Sequence, residues 1–527
     1  METKVTLDNP ISKIIQSDQI ILNSYSKNIT GLTKQIGGIA FPSSPEEIIN
    51  LVKHATKNNL SLYPISKGKN WGYGSKLPVT DNCIIVDLSN MNKIHEINEE
   101  YGYAIIEPGV TQIQLYNEIE KRGLDYILNC TGSADDTSII GNCLERGIGY
   151  YSMRQDDVLN FDVILGNGEI ISTGFGNGNT NIDHICKYGM GPGLDGLFFQ
   201  SNFGIILKMT FKLIPKPEKI TMISCGLLKE DNFNSYIDCL RDLRKKGIIK
   251  SHFRIGNENR SKSTIIPILQ DIILKQEDIG IEKAREKANK IYDKNIKTKW
   301  TAIGPIYGNK NEVNSNLSAI RKVMSKFGSV EIITENKLKF SKEILNAFRF
   351  IPAFRDKLYL LNAVEPLIKL SFGVPTSAAL KSINYFSQDK LESSIDPDSQ
   401  KSGLWFVAPI IPFNNQHADK LNAYLDSISK KYRVECFISM NMGTENYLQC
   451  VINIYFNKEN KNELDNAYAY KSELFDWLLE QGYYPYRVGI DDMNKIIKPD
   501  HTYWKLVHNL KKVLDPNNII APGRYNF

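Results

Sequence analysis

Three glycines in seven positions, Gly68, Gly72 and Gly74, break the stretch "PISKGKNWGYGSKLP" (64–78), which also carries three lysines and the aromatics Trp71 and Tyr73. Strand-like apolar runs lie on both sides. A strand running into glycines and small polar residues brings backbone N–H groups against a phosphate, because glycine permits close approach and a concave N–H array binds anions. Alone, a glycine-rich surface turn would explain the stretch equally well. It is not a Walker A loop, since Asn70 follows Lys69 and no helical pattern comes next. "GMGPGLDG" (189–196) is no dinucleotide fingerprint either, because Pro192 interrupts it and no strand precedes it. Three further elements share the chemistry: "TGSADDTSIIGNCLERGIGYYSM" (131–153), "KYGMGPGLDGLFFQSNFGIILKMTFKLIPKPE" (187–218), and the pair "YYPYRVGIDDM" and "LDPNNIIAPGR" near the C-terminus.

The elements that must position these loops are legible. "PEEIINLVKHATKN" (45–58) reads as a helix, with Pro45 at its start, acids in its first turn and Ile48, Leu51, Val52 and Ala55 as its apolar stripe. Short strands are expected at "LSLYPIS", "NCIIVDLS" and "YAIIEPGV". A helix follows over "TQIQLYNEIEKRG", with Thr111 as N-cap and Gly123 past its end. "FDVILGNGEIIST" reads as a hairpin turning through Gly166-Asn167-Gly168, and "IILKMTFKLIPKP" (205–217) as one long alternating strand. After Pro217 charged helical stretches alternate with strands such as "LQCVINIYF" to about residue 480, and the tail turns glycine- and proline-rich again. The expected class is α+β.

The bulk properties exclude several functions. Hydrophobic residues make up 42% and charged residues 23% of the chain, as in folded globular proteins. The net charge of +5 comes from scattered lysines, so no basic stripe points to nucleic acid. Eight cysteines form no CxxC, and the seven histidines do not join them at metal-ligand spacing, so no metal is expected and the thiols are read as reduced and mostly buried. "METKVTLDNPISK" lacks a secretory pattern, and no apolar run reaches the roughly 18 residues that span a membrane. A cytoplasmic protein is expected, with no nucleic-acid or membrane partner.

In this order the four motifs resemble the vanillyl-alcohol oxidase and 4-cresol dehydrogenase (p-cresol methylhydroxylase) family of flavoproteins. The resemblance covers roughly 40–220 and 360–527; the middle matches little. It implies a PCMH-type FAD-binding domain of two α/β subdomains (1–217), an α+β cap over the substrate (218–481), and a tail returning to the FAD domain (482–527). It implies FAD held at its pyrophosphate by Ser66, Gly68, Lys69, Asn70 and Gly72, along the ribityl chain and flavin by Ser138, Gly141, Asn142 and Gly147, and at the adenine end by Gly204 and Ile206. Tyr73, Tyr486 and Arg487 match the residues that grip a phenolate oxygen, and Arg524 matches an arginine beside flavin N1. The implied reaction is hydride loss from the benzylic carbon of a para-substituted phenol or phenolic alcohol. Partners are then a small-molecule substrate and either oxygen or an electron-transfer protein as acceptor, with a homodimer as a candidate assembly.

The chain departs from the family pattern in three places. Leu404, in "SGLWFVAPI", stands where alcohol oxidases carry the histidine bonded to flavin; leucine cannot form that bond, so FAD is expected to be non-covalent, with Tyr385 as a remote candidate for a link. Ser133 stands where the family has an aspartate near flavin N5, with Asp135 and Asp136 just after it, and a serine is no base at neutral pH without help. "GTENYLQCVINIYF" lacks the histidine pair seen before the last cap strand. A same-fold oxidoreductase acting on a non-phenolic alcohol, hydroxy acid or biosynthetic intermediate is the competing reading, and a binding module without redox chemistry a third.

Overall fold

The helix Pro45–Asn58 forms as its pattern requires: Ser44 accepts a hydrogen bond from the Glu47 N–H, and Asn59 closes the other end in the left-handed region. Its buried Ile48, Leu51, Val52 and Ala55 pack on a four-stranded sheet ordered Ile15–Gln16, Ile36–Ala40, Cys83–Asp87, Leu62–Ile65. The last three strands run parallel. This computed structural model describes residues 14–176, 180–386 and 396–527; the N-terminal stretch read for a secretory signal lies outside them.

A second, antiparallel sheet of five strands is ordered Ile94–Asn98, Tyr103–Ile106, Ile205–Lys212, Val158–Ile164, Ile170–Ser172. The helix Gln112–Arg122, capped by Thr111 and ended by left-handed Gly123, covers it. The expected long alternating strand over 205–217 is instead two pieces, Ile205–Lys212 and Ile214–Pro215, in different sheets. The first piece is buried on both faces, because Ile205 and Leu207 enter the core of the four-stranded sheet while Met209 and Phe211 enter that of the five-stranded one.

The third sheet has eight strands, ordered Val330–Ile333, Lys219–Leu227, Trp300–Gly308, Arg254–Asn257, Phe437–Met442, Tyr447–Asn457, Ser402–Pro412, Pro485–Arg487. The helices Phe233–Lys245, Lys310–Met324, Asn415–Tyr432 and Lys461–Glu480 cover one face, burying Ile255, Ile438, Met440, Ile452 and Val407. Strand alternation sends Arg254, Phe437, Asn441, Gln449, Asn453, Leu404 and Phe406 to the other face. The helices Glu258–Gln276, Ile281–Asn295 and Pro352–Lys369 form a separate cluster around Leu269 and Tyr292.

The chain then returns to the first sheet. The Leu62 N–H donates to the Ile519 carbonyl at 2.7 Å, and the Ala521 N–H to the Leu62 carbonyl at 2.7 Å. Buried Lys511 fixes the return by donating to the Ile520 carbonyl at 2.7 Å and to Asp515 at 2.6 Å. All eight cysteines are free thiols, six of them buried. Among the described residues no helix is long and apolar enough to cross a membrane.

Candidate functional site

A cavity opens where the four-stranded and five-stranded sheets meet the returning tail. Ser66, Gly68, Lys69, Asn70, Ser138, Gly141, Asn142, Gly204, Ile206, Arg487 and Arg524 all line it. The loop after strand Leu62–Ile65 bends through Gly68, Gly72 and Gly74, with φ of +65°, +76° and +115°. Among the described residues, the Lys67, Gly68, Lys69 and Asn70 N–H groups meet no acceptor of the protein, so the loop presents a row of free donors. Lys69 pairs with Asp136, tying this loop to the 131–138 loop.

Two predicted glycines, Gly72 and Gly147, are not in the wall but stand behind it. A Cβ on Gly72 would strike the Phe406 ring, and one on Gly147 the Asn142 side chain. Several wall atoms lack partners: Thr137 Oγ1, Asn142 Oδ1 and Asn202 Oδ1 are buried without a hydrogen bond. Buried polar atoms are nearly always satisfied, so this wall suits a polar ligand that supplies donors.

Glu145 knits the cavity's cations together, and sequence reasoning missed it. Arg524 donates to the Glu145 carboxylate and, at 2.5 Å, to the Tyr63 hydroxyl. Arg487 Nε lies 3.5 Å from the other Glu145 oxygen, and its Nη2 donates to Asn70. One carboxylate thus serves two guanidinium groups. Burial works against the charge on Arg524, and Glu145 outweighs it. No periodicity or spacing could have singled out Glu145, which ends a six-residue helix.

Tyr73, Tyr486 and Arg487 meet beside this knot. The Arg487 guanidinium stacks over the Tyr73 ring at 4.3 Å, and the Tyr73 and Tyr486 phenols lie close enough to influence each other's ionisation. Burial pushes Tyr73 far above its usual pKa, Tyr486 adds to this, and Arg487 opposes it. Burial likewise pushes Tyr486 up to about 12, opposed by Arg487. Phe406 reaches down from the eight-stranded sheet, its ring 5.4 Å from that of Tyr73. Gln200 Nε2 donates to the Tyr486 carbonyl at 2.8 Å, fixing the short strand that carries the Tyr-Arg pair.

The remaining predicted residues are spread around this centre. Ser133 shares a 2.6 Å hydrogen bond with Thr131. Asp135 accepts from the Ser377 hydroxyl at 2.6 Å, so its carboxylate is engaged with the cap. Leu404 is buried with Trp71, Ala134 and Phe437. Tyr385 packs on Phe386 and Phe437, under the Arg285 guanidinium at 4.7 Å. Among the described residues no cluster of His, Cys, Asp or Glu could hold a metal.

Comparison with known proteins agrees with this geometry. A family profile described as an FAD binding domain matches residues 36–174. The chain is 30% identical to the 1'-carboxy-chondrochloren decarboxylase of Chondromyces crocatus, over 94% of this chain and 91% of that one. It is 26% identical to the flavoprotein subunit of 4-cresol dehydrogenase [hydroxylating] of Pseudomonas putida, over 97% and 92%. Substrate-bound p-cresol methylhydroxylase superposes with a TM-score of 0.81 at 25% identity, covering 98% and 94%. The isoeugenol complex of 4-ethylphenol oxidase from Gulosibacter chungangensis does so at 0.82 and 22%, covering 98% and 94%, which speaks to the fold. The cavity fits FAD: a free N–H row suits a pyrophosphate, and the orphaned Thr137, Asn142 and Asn202 atoms suit a polar ring and sugar.

Proposed function

The chain belongs to the flavoprotein family of p-cresol methylhydroxylase and vanillyl-alcohol oxidase and is an FAD-dependent oxidoreductase, and on that premise we propose that it oxidises a para-substituted phenol or phenolic alcohol at the benzylic carbon. The observation that carries this reading is the meeting of buried Tyr73 and half-buried Tyr486 with Arg487. A free phenol ionises near pH 10. Burial holds both tyrosines above that value, so they stay protonated and donate, while the guanidinium supplies the charge. Such a grip favours the substrate phenolate through charge-assisted hydrogen bonds. The oxyanion's electrons reach the para carbon and promote loss of hydride from the benzylic position. The substrate is left as a quinone methide, to which water can add.

Bound FAD supplies the two-electron acceptor for that hydride. Ser66, Gly68, Lys69 and Asn70 would hold its pyrophosphate, with Gly72 shaping their loop. Ser138, Gly141 and Asn142 would line the ribityl chain and flavin, with Gly147 making room for Asn142; Gly204 and Ile206 would flank the adenine end. Arg524 is assigned to the flavin N1 region, where a fixed cation stabilises developing negative charge. Leu404, an alkyl side chain in the cap, supports non-covalent attachment. Ser133 is bonded to Thr131 and Asp135 to Ser377, an arrangement that suits a reaction driven by the phenolate itself. Reoxidation would fall to oxygen or an electron-transfer protein.

The test is an anaerobic comparison of 4-alkylphenols with their methyl ethers. Free phenols should bleach the flavin and ethers should not; equal bleaching by both would refute the reading. A second reading, oxidation coupled to loss of a substrate carboxyl group, draws on one observation: the Chondromyces crocatus relative is named a decarboxylase of a carboxy compound. Release of carbon dioxide in step with flavin bleaching would select it.

A further inference from the structure

Arg254 has no assignment in the chemistry above. It begins the strand Arg254–Asn257 and projects from the cap sheet on the side opposite its helices, level with Asn441 on the neighbouring strand. Its guanidinium stacks on the Tyr150 ring at 3.9 Å. One of its terminal nitrogens lies 3.4 Å from where a Cβ on Gly132 would stand, so it leans on the loop that carries Thr131 and Ser133. Its charge also reaches Tyr486. Arg254 therefore borders the serine loop, and its charge is felt at the phenol grip.

The other arginines near it have partners. Arg487 and Arg524 share Glu145, and Arg244 spends its donors on the carbonyls of Ile249, Ser251 and Gly443. Arg254, among the described residues, has neither a carboxylate nor a hydrogen-bond acceptor. Stacking on Tyr150 uses the face of the guanidinium and leaves its in-plane donors free. His252 beside it is neutral, because burial and the adjacent Arg244 and Arg254 hold it down to about 4. A permanently charged, partly buried fork of donors without an anion is matched by a carboxylate, which it can bind in a bidentate fashion.

We infer that Arg254 binds a carboxylate on the substrate's side chain, and that the substrate is an anionic 4-hydroxyphenyl compound rather than a simple alkylphenol. The inference rests on the phenol reading, because the carboxylate is located relative to the gripped ring. It also gives the cap a specificity device: phenolate at one end, carboxylate at the other, reacting carbon between. Arg254→Gln would remove the second handle and leave Tyr73, Tyr486 and Arg487 themselves in place.

The probes are 4-hydroxycinnamate and its amide, which lack a saturated benzylic carbon and so bind the FAD-loaded enzyme without being oxidised. Affinities come from calorimetry, and ionisation of the phenol from its ultraviolet shift. The carboxylate should bind at least about tenfold more tightly than the amide, the size that a hydrogen bond to a charged group supports. Arg254→Gln should bring the two to equal affinity, and Arg254→Lys should keep part of the preference. The inference falls if the wild-type enzyme shows no preference, or if Arg254→Gln retains it. Should both compounds bind without the ultraviolet shift, the phenol reading fails on its own, and the affinity ratio still judges Arg254. Equal FAD content in all variants separates lost recognition from lost folding.

Discussion

Replacing Glu145 by glutamine removes one charge and strands two. The carboxylate is 13% exposed and the Arg487 and Arg524 side chains 14% each, so water cannot take over its role cheaply. At the 3.5 Å separation from Arg487 Nε, with an effective dielectric of 20, one such pair attracts by about 5 kcal/mol. Desolvation offsets part of this in the intact knot, but breaking a buried pair by removing one partner costs about 3–5 kcal/mol. For a chain of this length the unfolding entropy is about 1.1 kcal/mol/K, so Glu145→Gln should lower the Tm by about 3–5 °C. The assay is thermal unfolding of FAD-loaded protein followed by tryptophan fluorescence, in a cycle with Arg524→Met. Arg524→Met should cost at least about 1 kcal/mol less in the Glu145→Gln background than alone, because the two residues interact directly. A Tm within about 1 °C of wild type, or costs that simply add, would refute the knot.

Acid or organic precipitation should release the flavin, since Leu404 offers no atom for a bond; a pellet that stays yellow would overturn non-covalent attachment and direct attention to Tyr385. Arg524→Met should slow flavin reduction more than it weakens substrate binding, because its charge matters most as negative charge develops; an unchanged reduction rate at normal FAD content would end that role. His252 should make stability fall in mild acid. Its folded pKa of about 4 lies below the unfolded value, so the unfolded chain takes up the proton first. Its contribution is therefore full above about pH 6.5 and falls by about 3 kcal/mol as the pH drops to 4. Denaturant unfolding of wild type and His252→Asn across that window should diverge; parallel curves would disprove the assignment.

The loops of the cofactor half were legible because their chemistry is local. Glycines at φ of +65° and +76° and a strand running into them are written in consecutive residues. The helices Pro45–Asn58 and Gln112–Arg122 were legible through caps and apolar stripes. The strand over 205–217 was misread as continuous because its apolar alternation runs on past Leu213, where the chain passes from one sheet to another. Tyr73 and the Tyr486-Arg487 pair could be brought together only by family resemblance, since they stand more than 400 residues apart in the chain. Glu145 and Arg254 escaped altogether. Each is defined by neighbours from other elements, Arg524 and Arg487 for one, Tyr150 and Gly132 for the other, and no period or spacing encodes such a meeting.

The central claim is that Tyr73, Tyr486 and Arg487 hold a phenolate. Spectral titration of enzyme-bound isoeugenol tests it most directly. On the wild-type enzyme its pKa should fall by about 1 to 3 units, the effect of an opposite charge within about 4–6 Å. Arg487→Leu should abolish that fall, while Tyr73→Phe and Tyr486→Phe should each reduce it. An isoeugenol pKa that is the same bound and free, or that stays lowered in Arg487→Leu, would contradict the account.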